Sequence, residues 1–176
     1  KRSLEYMNRK RTALDKKSLK EKLFLSKSKT YANTLQSLST IHIIRKETDK
    51  AISNIEQAKM ILETLGLNRT HEFGDFLVTI GLAYKSKGDL EKANSYYSEA
   101  DSLYKELGLT KTTSYASILS NQGLIHLAKK EYKDALKKFI ADKESQDNLK
   151  LTTTEEYAVT LSNLGLTLAE LGQAAK

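Results

Sequence analysis

Between Phe73 and Leu109 the apolar positions fall into two helical registers, separated by Lys87-Gly88-Asp89. Leu77, Ile80, Gly81 and Tyr84 make up the first, and Leu90, Ala93, Tyr97, Ala100, Leu103 and Leu107 the second. Both follow the i, i+3/i+4, i+7 spacing of an amphipathic helix. Gly88-Asp89 supplies a turn and an N-cap, and Gly108 a stop. A glycine inside a helix costs about 1 kcal/mol relative to alanine, so Gly81 needs a reason. Close approach of two backbones at Gly81 and Ala93 is the expected one. Replacing Gly81 by a bulky residue should then overpack the crossing.

Displaced by 42 residues, the sequence falls on itself. Phe73 has aromatic counterparts at Tyr31, Tyr115 and Tyr157, each followed by a small residue (Ala32, Gly74, Ala116, Ala158). Leu35, Leu77, Leu119 and Leu161 keep the interval, as do Gly81, Gly123 and Gly165, with Ser39 in the first copy. Ala51, Ala93 and Ala135 repeat in the same way, and Leu65-Gly66-Leu67 returns as Leu107-Gly108-Leu109. The eight glycines occupy only four slots of the period. A fixed period of this length is the signature of a helical repeat array, in which each unit buries its apolar face against its neighbours. Seven main helices are expected, antiparallel in sequence, with a further turn and no strand.

The series Leu77, Ile80, Gly81, Tyr84, Ala93, Tyr97, Ala100 resembles the tetratricopeptide repeat (TPR). The long period with its Leu-Gly stop is similar to the variant of kinesin light chains and bacterial signalling proteins. The resemblance covers about residues 30 to 176 and is sharpest in the second copy. His42 and His126 stand in the aromatic slot, Asp142 stands where the family prefers Ala, and the usual closing Pro is missing. The implied fold is all-α, a right-handed TPR-like solenoid of antiparallel helix pairs. The chain divides into a return helix of a truncated preceding repeat (1–29), three repeats (30–69, 70–111, 112–153) and the first helix of a fourth (154–176). Thr70, Thr112 and Thr154 are the N-cap candidates for the outbound helices, and Thr153 with Glu156 also has capping-box spacing.

Charge is uneven. Residues 1–29 hold eleven Lys/Arg against three acids, leaving a net −1 for the rest of a +7 chain. Such a segment suits nucleic acid or another anionic surface, but Leu19, Leu23 and Leu25 fall on the slots of Ile61, Leu65 and Leu67. A packed helix with a basic outer face is therefore the favoured reading. The chain has no cysteine, which fits a reducing compartment, and the expected location is the cytoplasm. Without a return helix, Leu161, Leu164, Leu168 and Leu171 should be partly uncovered and promote self-association.

Catalytic patterns are lacking. The histidines His42, His71 and His126 are too dispersed to share a metal, and Glu155-Glu156 reads as charge complementing a helix N-terminus. There is no phosphate-binding glycine loop, HExxH or nucleophile elbow. No enzymatic activity, cofactor or metal is expected.

What the resemblance implies is recognition of a peptide or a partner's helix in a concave groove lined by the outbound helices. The groove residues would be Gln36, Ser37 and Thr40, then Asp75, Val78, Thr79 and Leu82. Ser117, Ser120, Asn121 and Leu124 follow, and after them Ser162, Asn163 and Leu166. Asn121 and Asn163 match the family's Ser/Asn-Asn-x-Gly pattern, whose Asn bonds a peptide backbone. Leu82, Leu124 and Leu166 share one slot and would form an apolar stripe. The basic residues of the chaperone-type carboxylate clamp are absent. The implied function is a protein–protein interaction module. The alternative is a regulatory segment governing an attached kinase or caspase-like protease.

Overall fold

The computed structural model describes residues 28–174. The basic segment expected to form a helix ahead of the first repeat lies outside the described residues, apart from its last two positions. Seven helices follow in order: α1 (Lys29–Ile44), α2 (Thr48–Thr64), α3 (His71–Lys87), α4 (Leu90–Glu106), α5 (Thr113–Ala128), α6 (Tyr132–Asn148) and α7 (Glu155–Ala174). No strand occurs among the described residues. Helices α1/α2, α3/α4 and α5/α6 form antiparallel hairpins, each packed on the next, and α7 starts a fourth. The architecture is an all-α, right-handed, TPR-like solenoid.

Each outbound helix opens on the expected hydroxyl. Thr70, Thr112 and Thr154 accept the amide N–H of Phe73, Tyr115 and Tyr157, each at 3.2 Å. Thr154, and not Thr153, is thus the fourth cap. The same hydroxyls donate to the carbonyls of Leu67, Leu109 and Leu151 at 2.8, 2.9 and 2.9 Å. One side chain therefore ties the end of a return helix to the start of the next outbound helix. Ser28 plays the capping part for α1, accepting from Tyr31 at 3.1 Å.

The return helices close with a residue in the left-handed region: Gly66 (φ 70°), Gly108 (φ 69°) and, in the third copy, Lys150 (φ 58°). Bonds from Leu67, Leu109 and Leu151 N–H back to Leu62, Tyr104 and Gln146 carbonyls complete the motif. The hairpin turn shows the same substitution. Gly88 (φ 87°) has Lys46 (φ 60°) and Lys130 (φ 61°) as its counterparts. A left-handed conformation costs an L-residue about 1–2 kcal/mol, partly offset by the entropy that glycine loses on folding. Lys150→Gly is accordingly expected to raise stability by about 1 kcal/mol. A denaturation midpoint unchanged from wild type would contradict it.

Where lysine takes the turn, histidine takes the aromatic slot. His42 and His126 each place Nδ1 2.6 Å from a carboxylate oxygen of the residue five ahead, Glu47 and Glu131. In the glycine-containing copy Tyr84 occupies that slot and donates to Glu56 Oε1 at 2.5 Å, while its ring stacks on Tyr96. The two histidines therefore brace turns. Among the described residues no cluster of three His, Cys, Asp or Glu could hold a metal.

Core packing explains the helix-interior glycines. A Cβ on Gly81 would lie 2.7 Å from the ring of Tyr97, and one on Gly123 2.6 Å from the ring of Phe139. The close approach at Gly81 includes an aromatic ring set onto the helix backbone, from Tyr97, one turn beyond Ala93 on the same return helix. In the first copy the ring's slot is held by Ile55, and the glycine's slot by Ser39, which donates to the carbonyl of Ala51 at 2.8 Å. On α7 a Cβ on Gly165 would meet nothing. Leu161 and Leu168 are 45% and 53% exposed there, with Leu164 and Leu171 half-buried. These are the side chains expected to be partly uncovered.

Candidate functional site

The outbound helices α1, α3, α5 and α7 share one side of the array, and a concave groove of about 870 Å³ runs along it. Gln36 of α1 lines it, with Asp75, Val78 and Thr79 of α3, and Ser117, Ser120 and Asn121 of α5. These belong to the expected set. Gln36 Nε2 donates to Thr79 Oγ1 at 3.1 Å, joining the first and second outbound helices across the groove wall. Asp75 accepts from the Tyr104 hydroxyl at 2.5 Å. Burial, with this hydrogen bond, pushes the Tyr104 phenol well above the usual tyrosine range.

Asn121 borders the groove with its amide already engaged. Its Nδ2 donates to the Ser117 carbonyl at 2.9 Å, and its Oδ1 accepts from Lys85 Nζ at 2.7 Å. Burial holds the Lys85 ammonium below its ordinary pKa. Bonding to a peptide would require Asn121 to exchange one of these partners.

The rest of the expected set does not border the cavity. Ser37 and Thr40 are exposed on α1 and donate back to the carbonyls of Asn33 and Gln36. Leu82 and Leu124 are half-buried, Leu166 is 51% exposed, and Ser162 is exposed. Asn163 is half-buried, and its Nδ2 is closed from solvent without an acceptor.

Other lining residues were not anticipated: Asp142 and Gln146 of α6, and Glu155, Glu156, Val159 and Thr160 of α7. Asp142 is fully buried. Its two oxygens accept from Gln146 Nε2 at 2.9 Å and from Thr160 Oγ1 at 2.8 Å, and the Ser120 hydroxyl also bonds to it. Gln146 Nε2 is shared with Thr160 Oγ1 at 2.8 Å. Desolvation dominates these hydrogen bonds and raises the Asp142 carboxyl above the usual range. A signal for this cluster was present in the 42-residue register. Asp142 replaces Ala58 and Ala100, Gln146 replaces Leu62 and Tyr104, and Thr160 replaces Phe76 and Ile118, while the first copy has Thr34 in that slot.

With this geometry in place, the class is clear: a repeat array whose helix hairpins stack around a concave groove. Residues 74–107, nearly all of α3 and α4, match the tetratricopeptide repeat. The chain thus carries a match to one tetratricopeptide repeat, within a TPR-like fold. No curated protein matches the sequence significantly. Among solved structures, BtubC (BKLC) from P. vanneervenii is similar, at 20% identity and a TM-score of 0.74 over 80% of this chain and 56% of that one. The chain thus spans little more than half of that relative's length. The TPR-like repeats of a Podosopora anserina putative kinesin light chain give a TM-score of 0.75 at 11% identity, covering 83% of this chain and 69% of that one. The Sgt2 TPR domain from Aspergillus fumigatus gives 0.63 at 22% identity, covering 82% and 81%. At these identities the likeness is one of fold. No helix among the described residues is long and apolar enough to cross a membrane.

Proposed function

We propose that the chain is a protein–protein interaction module that holds an extended peptide or a partner's helix in its concave groove. One observation carries this reading: successive outbound helices build a continuous cavity of about 870 Å³, within the range that buries a ligand. Its walls alternate neutral donors and acceptors (Gln36, Thr79, Ser117, Asn121) with short apolar surfaces such as Val78 and Ala116. That mixture suits a peptide main chain better than a small reactive substrate. In this reading the chain from 1 to 176 is one array, and the repeats over 30–69, 70–111 and 112–153 supply the groove between them.

The test is selection of random dodecapeptides on the full chain, followed by affinity measurement with the Asn121→Ala variant. Asn121 offers an amide donor and acceptor, and each hydrogen bond lost to a ligand costs about 0.5–1.5 kcal/mol. Binding should weaken severalfold while the melting temperature stays near wild type. Unchanged affinity with lowered stability would reduce Asn121 to a brace between Lys85 and Ser117. Failure to enrich any peptide would remove the groove reading itself.

A further inference from the structure

We propose that the end of the groove between α5, α6 and α7 is a subsite for a cationic side chain, so that the bound segment carries an arginine or lysine there. The proposal rests on the groove reading above and specifies the chemistry of the partner.

Charge is the first argument. The groove lining contains four carboxylates, Asp75, Asp142, Glu155 and Glu156, and no Lys, Arg or His. The Lys85 ammonium is tied to Asn121 at the groove margin. The full chain is net positive by 7, so overall charge repels a basic peptide, and any attraction must be local to this groove.

The second argument is chemical incompleteness. Asp142 is fully buried, yet its described hydrogen-bond donors are all neutral: Gln146, Thr160 and Ser120. A buried carboxylate without a cation is costly unless a charge partner is supplied. Gln146 is only 4% exposed and borders the groove. Its Nε2 is committed to Asp142 and Thr160, and its Oε1 is closed from solvent with no donor. A buried acceptor without a donor is uncommon in native proteins and calls for one. Two slots held by Ala58 and Ala100 and by Leu62 and Tyr104 in the first and second repeats, and one held by Phe76 and Ile118 in the second and third, have therefore become a carboxylate, an amide and a hydroxyl around one incomplete centre.

A cation meets both deficits together. A neutral donor would serve the amide oxygen and leave the carboxylate without counter-charge. A guanidinium, with five donors in a planar fork, can reach the carboxylate and the amide oxygen at once, which favours arginine over lysine. Glu155 and Glu156, exposed on the first turn of α7, give the approach a negative mouth. Since Asp142 and the Gln146 oxygen are both closed from solvent, entry requires the Gln146 side chain to swing away from Asp142.

The test starts from the dodecapeptides selected on the full chain. Enriched sequences should carry a basic residue at a fixed position. Exchanging an arginine there for citrulline, its neutral near-isostere, should weaken binding at least tenfold in fluorescence anisotropy. Asp142→Asn should bring the arginine and citrulline peptides to similar affinity, with a melting temperature at or above that of wild type. A second variant, Glu155→Gln with Glu156→Gln, leaves the buried cluster intact and should weaken the arginine peptide severalfold and flatten its salt dependence. Enrichment without basic residues, or an arginine peptide that binds wild type and both variants equally, overturns the cationic subsite while the groove reading stands. Failure to enrich any peptide removes the groove reading and this proposal together.

Discussion

The Gly81→Ser variant should lose about 1–3 kcal/mol, and most of that should return when Tyr97 is changed to Ile in the same chain. The added Cβ would lie 2.7 Å from Tyr97 Cε1 and 2.9 Å from its Cδ1 and Cζ. The ring has no room to yield, because Tyr97 is fully buried. Tyr97→Ile alone removes a large core side chain and leaves a cavity, costing about 2–4 kcal/mol by comparison with other large-to-small changes. Together the two changes recreate the pair that the first repeat already uses, Ser39 against Ile55, in which the hydroxyl finds the carbonyl of Ala51. The residue in the Ala51 slot of the second repeat is Ala93, so the new serine has an equivalent acceptor. The double variant should therefore be more stable than the sum of the single effects by more than about 1 kcal/mol, as residues in contact permit. Strict additivity in urea denaturation would show that glycine and ring are not energetically paired. Gly81→Leu offers no such rescue and should be the most damaging substitution at this position.

This pairing also shows what could be read in the sequence. The 42-residue period gave the helices, their order and the Thr caps because backbone needs recur: a donor must be satisfied at each helix start, and a left-handed residue must close each end. The pairing of Gly81 with Tyr97, Gly123 with Phe139 and Ser39 with Ile55 was also present in the register, but it needs a second helix to become visible. The expectation named Ala93 on the return helix, and the ring that meets Gly81, that of Tyr97, lies one turn further along the same helix. Lys46, Lys130 and Lys150 carry no local sign of their left-handed backbone; only their register with Gly88, Gly66 and Gly108 points to it.

Of the residues expected in the groove, Gln36, Asp75, Thr79, Ser117 and Asn121 border the cavity. Ser162, Asn163 and Leu166 do not, because the cavity borders only the first turns of α7, through Thr160. Repeat position confined the expected groove to outbound helices. Asp142 and Gln146 belong to a return helix, and reach the cavity because α7 stands beside them. The departure of Asp142 from the family's Ala was legible, and the register marks Gln146 as well; that they meet Thr160 needs the packing of α6 on α7.

That polar cluster leads to the other large effect. Converting Asp142→Ala, Gln146→Leu and Thr160→Ile together places at α6–α7 the apolar residue types of the second and first repeats at the first two positions and of the third repeat at the last. Replacing a buried charged network with apolar residues of fitting size is often neutral or stabilising, by about 1–4 kcal/mol. The gain should depend on pH, with a definite sign. Burial raises the Asp142 carboxyl in the folded chain. Its contribution to stability is therefore intact below the ordinary carboxylate value near 4 and is lost as pH rises through the raised value. The triple variant should thus exceed wild type most at pH 7 to 8 and least near pH 4. Urea denaturation at the two ends of that range measures the difference, and slower amide exchange in α7 should accompany it. A triple variant less stable than wild type at pH 8 would mean that the hydrogen bonds among Asp142, Gln146, Thr160 and Ser120 outweigh the cost of burying the charge. A more stable variant would mean that the wild-type junction sacrifices stability at three adjacent positions, each bordering the groove. Cores do not retain such a loss for packing. The same variant should then no longer distinguish an arginine peptide from its citrulline counterpart, which links the energetic cost at α6–α7 to recognition in the groove.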